Sequence, residues 1–179
     1  MSQPVLSVKD LSVVFHLRRG DFTAVKSISF DIMPGEVLGV VGESGAGKSM
    51  TGTAIMGLID PPGEISATAI TLSGDRIDGL DEESLRKIRG RRIGMVMQDP
   101  LTSLNPLFTV GEQLIETIRR HLPLSQDEAR ARAIALLADA GIPDPQNRID
   151  SYPHQFSGGM RQRVVISLAL AAEPELVIA

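Results

Sequence analysis

Gly42-Glu43-Ser44-Gly45-Ala46-Gly47-Lys48-Ser49 constrains this chain more than any other stretch. It matches G-x-x-x-x-G-K-[ST] at every fixed position, a pattern that has chemical meaning only between a strand and a helix. Both flanks fit. Val37-Leu38-Gly39-Val40-Val41 is a short apolar run with three β-branched residues and predicts a buried strand. Met50 to Leu58 has no proline and one internal glycine and predicts a helix. In that setting the glycines let the backbone curl until successive N–H groups converge on phosphate oxygens. The helix N-terminus adds partial positive charge. Lys48 would reach the β- and γ-phosphates, and the Ser49 hydroxyl would hold Mg²⁺. The competing reading, a glycine-rich turn with a solvated lysine, leaves the strand and helix signals unexplained.

Bulk properties narrow the class. The chain has 179 residues, enough for one domain with a core. A net charge of −4 argues against a general nucleic-acid binder. No apolar run approaches a membrane span, and Met1-Ser2-Gln3-Pro4 lacks the basic and apolar parts of a signal peptide. A cytoplasmic protein is the expectation. With no cysteine, disulfides and thiolate metal sites are excluded.

The first forty residues predict a small antiparallel sheet. Leu11, Val13 and Phe15 alternate with Ser12 and Val14, and Ile28, Phe30 and Ile32 alternate with Ser27, Ser29 and Asp31. Arg18-Arg19-Gly20-Asp21 lies between them as a hairpin turn or short loop, and Pro34-Gly35 is a second turn. Beyond the first helix, Asp60-Pro61-Pro62-Gly63 breaks the chain. Ala69 to Leu72 predicts a short strand, and Ser73-Gly74-Asp75 a turn. Asp81-Glu82-Glu83 opens a helix that carries Leu85 and Ile88 and ends near Gly90. Its basic cluster, Arg86, Lys87, Arg89, Arg91 and Arg92, could bind phosphate, but a solvated face balancing the preceding acids is the simpler reading. Ile93 to Met97 predicts a second buried strand that delivers Gln98 at its end, where α/β proteins place ligand contacts.

From about 100 to 150 the character is helical. Leu114, Ile115, Ile118 and Leu122 share a helical face, and Glu116 and Arg120 have i,i+4 spacing. Ser125-Gln126-Asp127-Glu128 has capping-box spacing. The helix it opens should bury Ile134, Leu137 and Ala138 and stop at Gly141, with Pro143 and Pro145 beyond. Ser157 then reads as the N-cap of a helix running from Gly158 to Ala172. Two glycines in a first turn weaken a helix, by about 1 kcal/mol each in an interior. They make sense where something must approach the backbone closely, and the cap hydroxyl with its bare N–H groups forms an anion site. Two phosphate elements but one phosphate loop leave two options: both grip one nucleotide, or the second grips a nucleotide on another copy. His154 has no ligand-type neighbours at metal spacing, so a structural hydrogen bond is expected of it. After Glu173-Pro174-Glu175, Leu176 to Ala179 reads as the start of another buried strand.

The phosphate loop, Gln98 at a strand end, and Phe156-Ser157-Gly158-Gly159-Met160 together resemble the ATP-binding subunit of an ABC transporter. Gln98-Asp99-Pro100-Leu101-Thr102-Ser103-Leu104-Asn105-Pro106 and Tyr152-Pro153-His154-Gln155-Phe156-Ser157-Gly158-Gly159-Met160-Arg161-Gln162-Arg163 most resemble the dipeptide and oligopeptide import branch, with nickel importers sharing much of the pattern. The resemblance implies an α/β fold: a RecA-like P-loop NTPase core with an N-terminal antiparallel β subdomain and an inserted helical subdomain, incomplete at the C-terminus. It implies one ATP-binding domain over 1–179, with the β subdomain and core at about 1–98 and 173–179 and the helical subdomain at about 99–172.

The resemblance also assigns roles. Phe15 would stack on adenine, though a packed strand aromatic is a close rival reading. Gly42, Glu43, Ser44, Gly45, Ala46, Gly47, Lys48 and Ser49 would hold the ATP phosphates. Ser49 and Gln98 would contact Mg²⁺, with Gln98 also near the attacking water. Ser157, Gly158 and Gly159 would meet the γ-phosphate held by a second ATP-binding subunit, so that each ATP lies between two chains. Implied partners are that subunit, identical or homologous, integral membrane permeases facing residues of about 99 to 150, and indirectly a solute-binding protein, with no nucleic acid. The implied location is the inner face of the cell membrane, as a peripheral subunit.

Two departures stand out. Met160 occupies a position where the wider family usually has glutamine. The Mg²⁺-binding aspartate and catalytic glutamate that follow the family's last apolar run, and its later histidine, are not in the chain, so little hydrolysis is expected of these residues alone. The rival classes are a non-catalytic fragment that at most binds nucleotide, and an ABC-type ATPase of DNA repair or translation, against which the peptide-branch segments speak.

Overall fold

The computed structural model describes residues 3–97 and 103–179. It divides into two units, 1–86 and 87–179.

In the first unit a long hairpin leads. Strand β1 (Leu6–Leu17) pairs antiparallel with β2 (Gly20–Ile32), with Arg18 and Arg19 at the turn. The expected turn is therefore present, and Gly20 takes the positive φ of +114° that follows it. The other edge of β1 is shared. Its first half pairs with β4 (Ala69–Leu72) and its second with β3 (Gly63–Ser66), while β5 (Asp75–Arg76) adds to β4. Asp10 sits between the two partnerships at φ +54°. Its N–H donates to Ser29 Oγ at 2.8 Å and its carboxylate accepts from Thr68 Oγ1 at 2.9 Å. Aspartate tolerates this backbone region better than most residues, and the bulge shifts the inward phase. Leu6 and Val8 are buried before it and Leu11 and Val13 after it. Strict alternation through Phe15 describes only the later half. β3 lies where the sequence suggested only a break.

Helix α1 (Lys48–Ile55) follows the phosphate loop, as expected. The predicted strand before the loop is absent. Residues 37–41 form no strand, and Val37 and Val41 are 95% and 96% exposed. An apolar run becomes a strand only when a neighbour accepts its N–H and C=O groups, and among the described residues none pairs with it. Helix α2 (Glu82–Ile88) closes this unit and opens the next.

In the second unit β6 (Ile93–Met95) pairs in parallel with β7 (Leu176–Ile178). Helices α3 (Val110–His121), α4 (Gln126–Asp139), α5 (Pro145–Arg148) and α6 (Gly158–Leu170) surround one apolar core. Leu114 and Ile118 of α3, Leu137 of α4 and Val164 of α6 are fully buried there. Truncating one such leucine to alanine costs about 2–5 kcal/mol. The buried stripe of α4 is Ala129, Ala133 and Leu137. Ile134 is only partly buried and Ala138 is exposed, because α4 turns its small residues to its neighbours. Small side chains let helix axes approach closely.

Capping decides the helix ends. Ser125 and Glu128 form the expected reciprocal box, with Glu128 Oε2 accepting from the Ser125 N–H at 2.8 Å. Thr109 and Glu112 form a second one at α3. The chain leaves α4 at Gly141, φ +75°. No ion pair joins Glu116 to Arg120 among the described residues. Of the basic cluster, Arg86 and Lys87 are exposed on α2 as expected, whereas Arg91 and Arg92 beyond it reach other backbone and side chains. Arg91 donates to the Ala172 carbonyl at 2.8 Å, and Arg92 pairs with Glu175 at 2.6 Å. Arg132 donates to the Ala171 carbonyl at 3.0 Å. Cations thus satisfy the carbonyls at the end of α6, where the helix dipole favours them.

Candidate nucleotide site

The phosphate loop ends at the first turn of α1, which has no acidic residue to offset its dipole. Gly45 and Gly47 hold φ of +84° and +85°, the left-handed region that side chains resist. Gly47 is doubly constrained, since a Cβ there would lie 2.4 Å from the Ala24 carbonyl oxygen of β2. Lys48 Nζ donates to the carbonyls of Gly42 and Glu43, each at 2.7 Å. An ammonium has three donors, so one remains for a ligand. Ser49 is exposed, and its hydroxyl has no protein partner among the described residues. Glu43, Ser44 and Ala46 line the exposed outer side of the loop, where the Ala46 N–H bonds the Glu43 carbonyl at 3.1 Å. A curled backbone around a half-buried ammonium, at a helix N-terminus, suits a polyphosphate. A free hydroxyl beside it suits a hard cation that prefers oxygen ligands.

Phe15 is half-buried near the end of β1, opposite Phe22 of β2 and Gly63 of β3. Next to it, exposed His16 bridges both neighbouring strands. Its Nδ1 is 2.9 Å from Asp21 Oδ1 and its Nε2 3.1 Å from Glu64 Oε2. Hydrogen bonds to Asp21 and then Glu64 raise its pKa above the usual 6.5. Sequence reasoning missed this bridge. The turn at Arg18-Arg19 puts His16 opposite Asp21 in register, so half was legible; Glu64 arrives only through the β1–β3 pairing.

In the second unit Ser157 caps α6, with extended φ and ψ and its Oγ accepting from the Met160 N–H at 3.3 Å. Gly158 and Gly159 face open space, since a Cβ on either would meet nothing within 4 Å. The close approach expected at these glycines is therefore sterically available. Arg161 Nε, one turn in, is buried without a hydrogen-bond partner. His154 stacks on Tyr152, with ring centroids 5.7 Å apart and planes at 13°. Among the described residues its ring, which is exposed, makes no hydrogen bond of the kind expected. Among the described residues no His, Asp and Glu cluster could hold a metal.

The loop, Phe15 and His16 belong to the first unit and Ser157 to Gly159 to the second. Gln98 lies outside the described residues, as do Asp99 to Thr102. Among the described residues no helix is long and apolar enough to cross a membrane.

Known proteins bear directly on this arrangement. The chain is 47% identical to the oligopeptide transport ATP-binding protein OppD of Bacillus subtilis, over 98% of this chain and 49% of that protein. It is 48% identical to the dipeptide transport ATP-binding protein DppD of Escherichia coli, over 98% of this chain and 54% of that one. It thus spans about half the length of these curated relatives. Among solved structures, the dimeric post-hydrolysis ATP-binding cassette MJ0796 bound to ADP and Pi superposes with a TM-score of 0.85 at 28% identity. That alignment covers 96% of this chain and 72% of that one. The ABC transporter family model matches residues 25–179, and with the phosphate loop built as described, this chain belongs to the ABC transporter family and has the α/β fold of its ATP-binding cassettes.

Proposed function

We propose that the chain is the nucleotide-binding part of an ATPase that drives import of dipeptides or oligopeptides through membrane permeases. The observation that carries this reading is the loop drawn around Lys48, with two donors spent on Gly42 and Glu43 and the third without a partner among the described residues. The similarity to peptide-transport ATP-binding proteins supplies the substrate class.

In this reading Gly42 to Ser49 hold the phosphates of ATP and Ser49 holds Mg²⁺, joined by Gln98. A cation held there would offset phosphate charge. Lys48 holds the loop closed and neutralises phosphate oxygens. Phe15 offers its ring to the adenine. The Ser157 hydroxyl and the open backbone of Gly158 and Gly159 meet the γ-phosphate bound by a second ATP-binding subunit, which accounts for two phosphate elements and one phosphate loop. The dimeric state of the MJ0796 cassette supports this pairing. Residues of about 1–98 and 173–179 act as sheet and nucleotide core and about 99–172 as the helical subdomain, of which about 99–150 face the permeases. The protein then works at the inner membrane face, served by a solute-binding protein.

Uptake of a labelled dipeptide by vesicles holding the whole transporter tests the reading. Dependence on ATP, lost with Lys48→Ala, is expected. Uptake of nickel in place of peptide would assign the protein to the related small-solute importers.

A further inference from the structure

Gly63 is paired with Phe15 across the β1–β3 ladder. Its missing side chain is where the Phe15 ring lies. A Cβ on Gly63 would fall 2.8 Å from Phe15 Cε1, 2.5 Å from Ile59 Cγ2 and 3.0 Å from the Asp60 carbonyl oxygen. None of these is the loose end of a flexible chain. The Asp60 carbonyl accepts from the Gly63 N–H at 2.9 Å, and the Pro62 carbonyl accepts from the His16 N–H at 3.0 Å. The backbone beneath the ring is therefore tied on both sides. An aromatic laid across a cross-strand glycine is a recognised way for a sheet to seat a ring. On the opposite strand Phe22 is 56% exposed, which leaves the Phe15 seat to β3.

We propose that Gly63 is a positioning residue for nucleotide binding: its bare Cα seats the Phe15 ring at the angle that stacks on the base. This rests on the reading of Phe15 as the adenine contact. A side chain at position 63 crowds the ring, because the tied Asp60–Gly63 turn backs it on one side and the Ile59 methyl on another. The phosphate loop is untouched by the change. Base stacking and phosphate binding therefore separate.

The test compares affinities of the full chain for ATP and for inorganic triphosphate, which has no base. Phe15→Ala should weaken ATP about tenfold and leave triphosphate unchanged, in line with one lost base–aromatic stack. Gly63→Ala should weaken ATP by about fivefold or more, again with triphosphate unchanged. The double variant Phe15→Ala/Gly63→Ala should bind ATP as Phe15→Ala does; it removes the contact with the ring and keeps those with Ile59 and Asp60, so an unchanged triphosphate affinity in it shows that the fold tolerates them. Gly63→Ala binding ATP like the native chain would overturn the proposal while leaving Phe15 as the base contact. So would an equal loss of ATP and triphosphate, which marks a structural role, or a further loss in the double variant. An unchanged ATP affinity in Phe15→Ala would remove the base contact itself, and the role of Gly63 with it.

Discussion

Lys48 Nζ lies 2.7 Å from the carbonyl oxygen of Gly42, the first residue of its own loop. The ammonium thereby bridges the two ends of the motif, and in the proposed function the same atom also faces the phosphates.

Lys48→Ala should weaken ATP binding about 10- to 100-fold, the range for loss of a charge-assisted hydrogen bond. The measurement is calorimetric titration. Lys48→Arg should recover only part of the affinity, since a planar guanidinium cannot serve two carbonyls and a phosphate as a compact ammonium does. Native ATP affinity in Lys48→Arg would show that charge alone matters.

The loop glycines should differ in cost. Gly45→Ala meets open space and carries only the left-handed strain, about 1–2 kcal/mol. Gly47→Ala adds a contact at 2.4 Å with the Ala24 carbonyl, so its total should exceed that of Gly45→Ala by about 1–3 kcal/mol. Urea unfolding reads the difference, and equal costs would mean that the loop does not pack on β2 in solution.

Two histidines should titrate in opposite directions. The carboxylates of Asp21 and Glu64 raise the pKa of His16 above 6.5. Its stabilising contribution is fully present below pH 6.5 and is lost as pH rises through the raised value. Burial lowers the pKa of His121, helped by the charges of Arg120 and Arg91. Its contribution is present above pH 6.5 and lost as pH falls through the lowered value. Proton NMR of the imidazoles gives both values, and His16→Gln should flatten the loss of thermal stability on the alkaline side only. A His16 pKa below 6.5 would mean the cross-strand bridge does not persist in water.

Ser157 has a capping role and a ligand role that substitution can separate. Ser157→Ala should destabilise α6 by about 1 kcal/mol and weaken ATP-driven pairing of subunits. Ser157→Asp keeps a good cap and adds a charge that favours the helix N-terminus by about 0.3–1 kcal/mol. It should fold as well as the native chain yet lose the pairing, because a carboxylate repels the γ-phosphate. Sedimentation with and without ATP checks this, and pairing that survives Ser157→Asp would remove the hydroxyl from the site.

What could be read in advance was local. The phosphate loop, the Ser125–Glu128 box, the stop at Gly141 and the Ser157 cap each depend on residues within a few positions of one another. Backbone geometry and short-range hydrogen bonds are set at that range. The turn at Arg18-Arg19 belongs with them, and it carried half of the His16 bridge.

Contacts between distant segments decided the rest. Val37 to Val41 has the composition of a buried strand, but strand formation needs a neighbour, and none of the described residues supplies one. α4 buries Ala129 and Ala133 in preference to Ala138 because packing against other helices chooses the face, and a helix with apolar residues on several sides does not. Arg91 and Arg92 read as a charged surface until the segment between α6 and β7 came within reach of both. Gly63 read as a chain break, and pairing with β1 made it the seat of Phe15. The proposed phosphate site was legible in the order of the residues, because it is built from consecutive positions, Gly42 to Ser49. What surrounds the site came from folding in three dimensions, since strand pairing, helix facing and cross-strand seats depend on which remote segments meet.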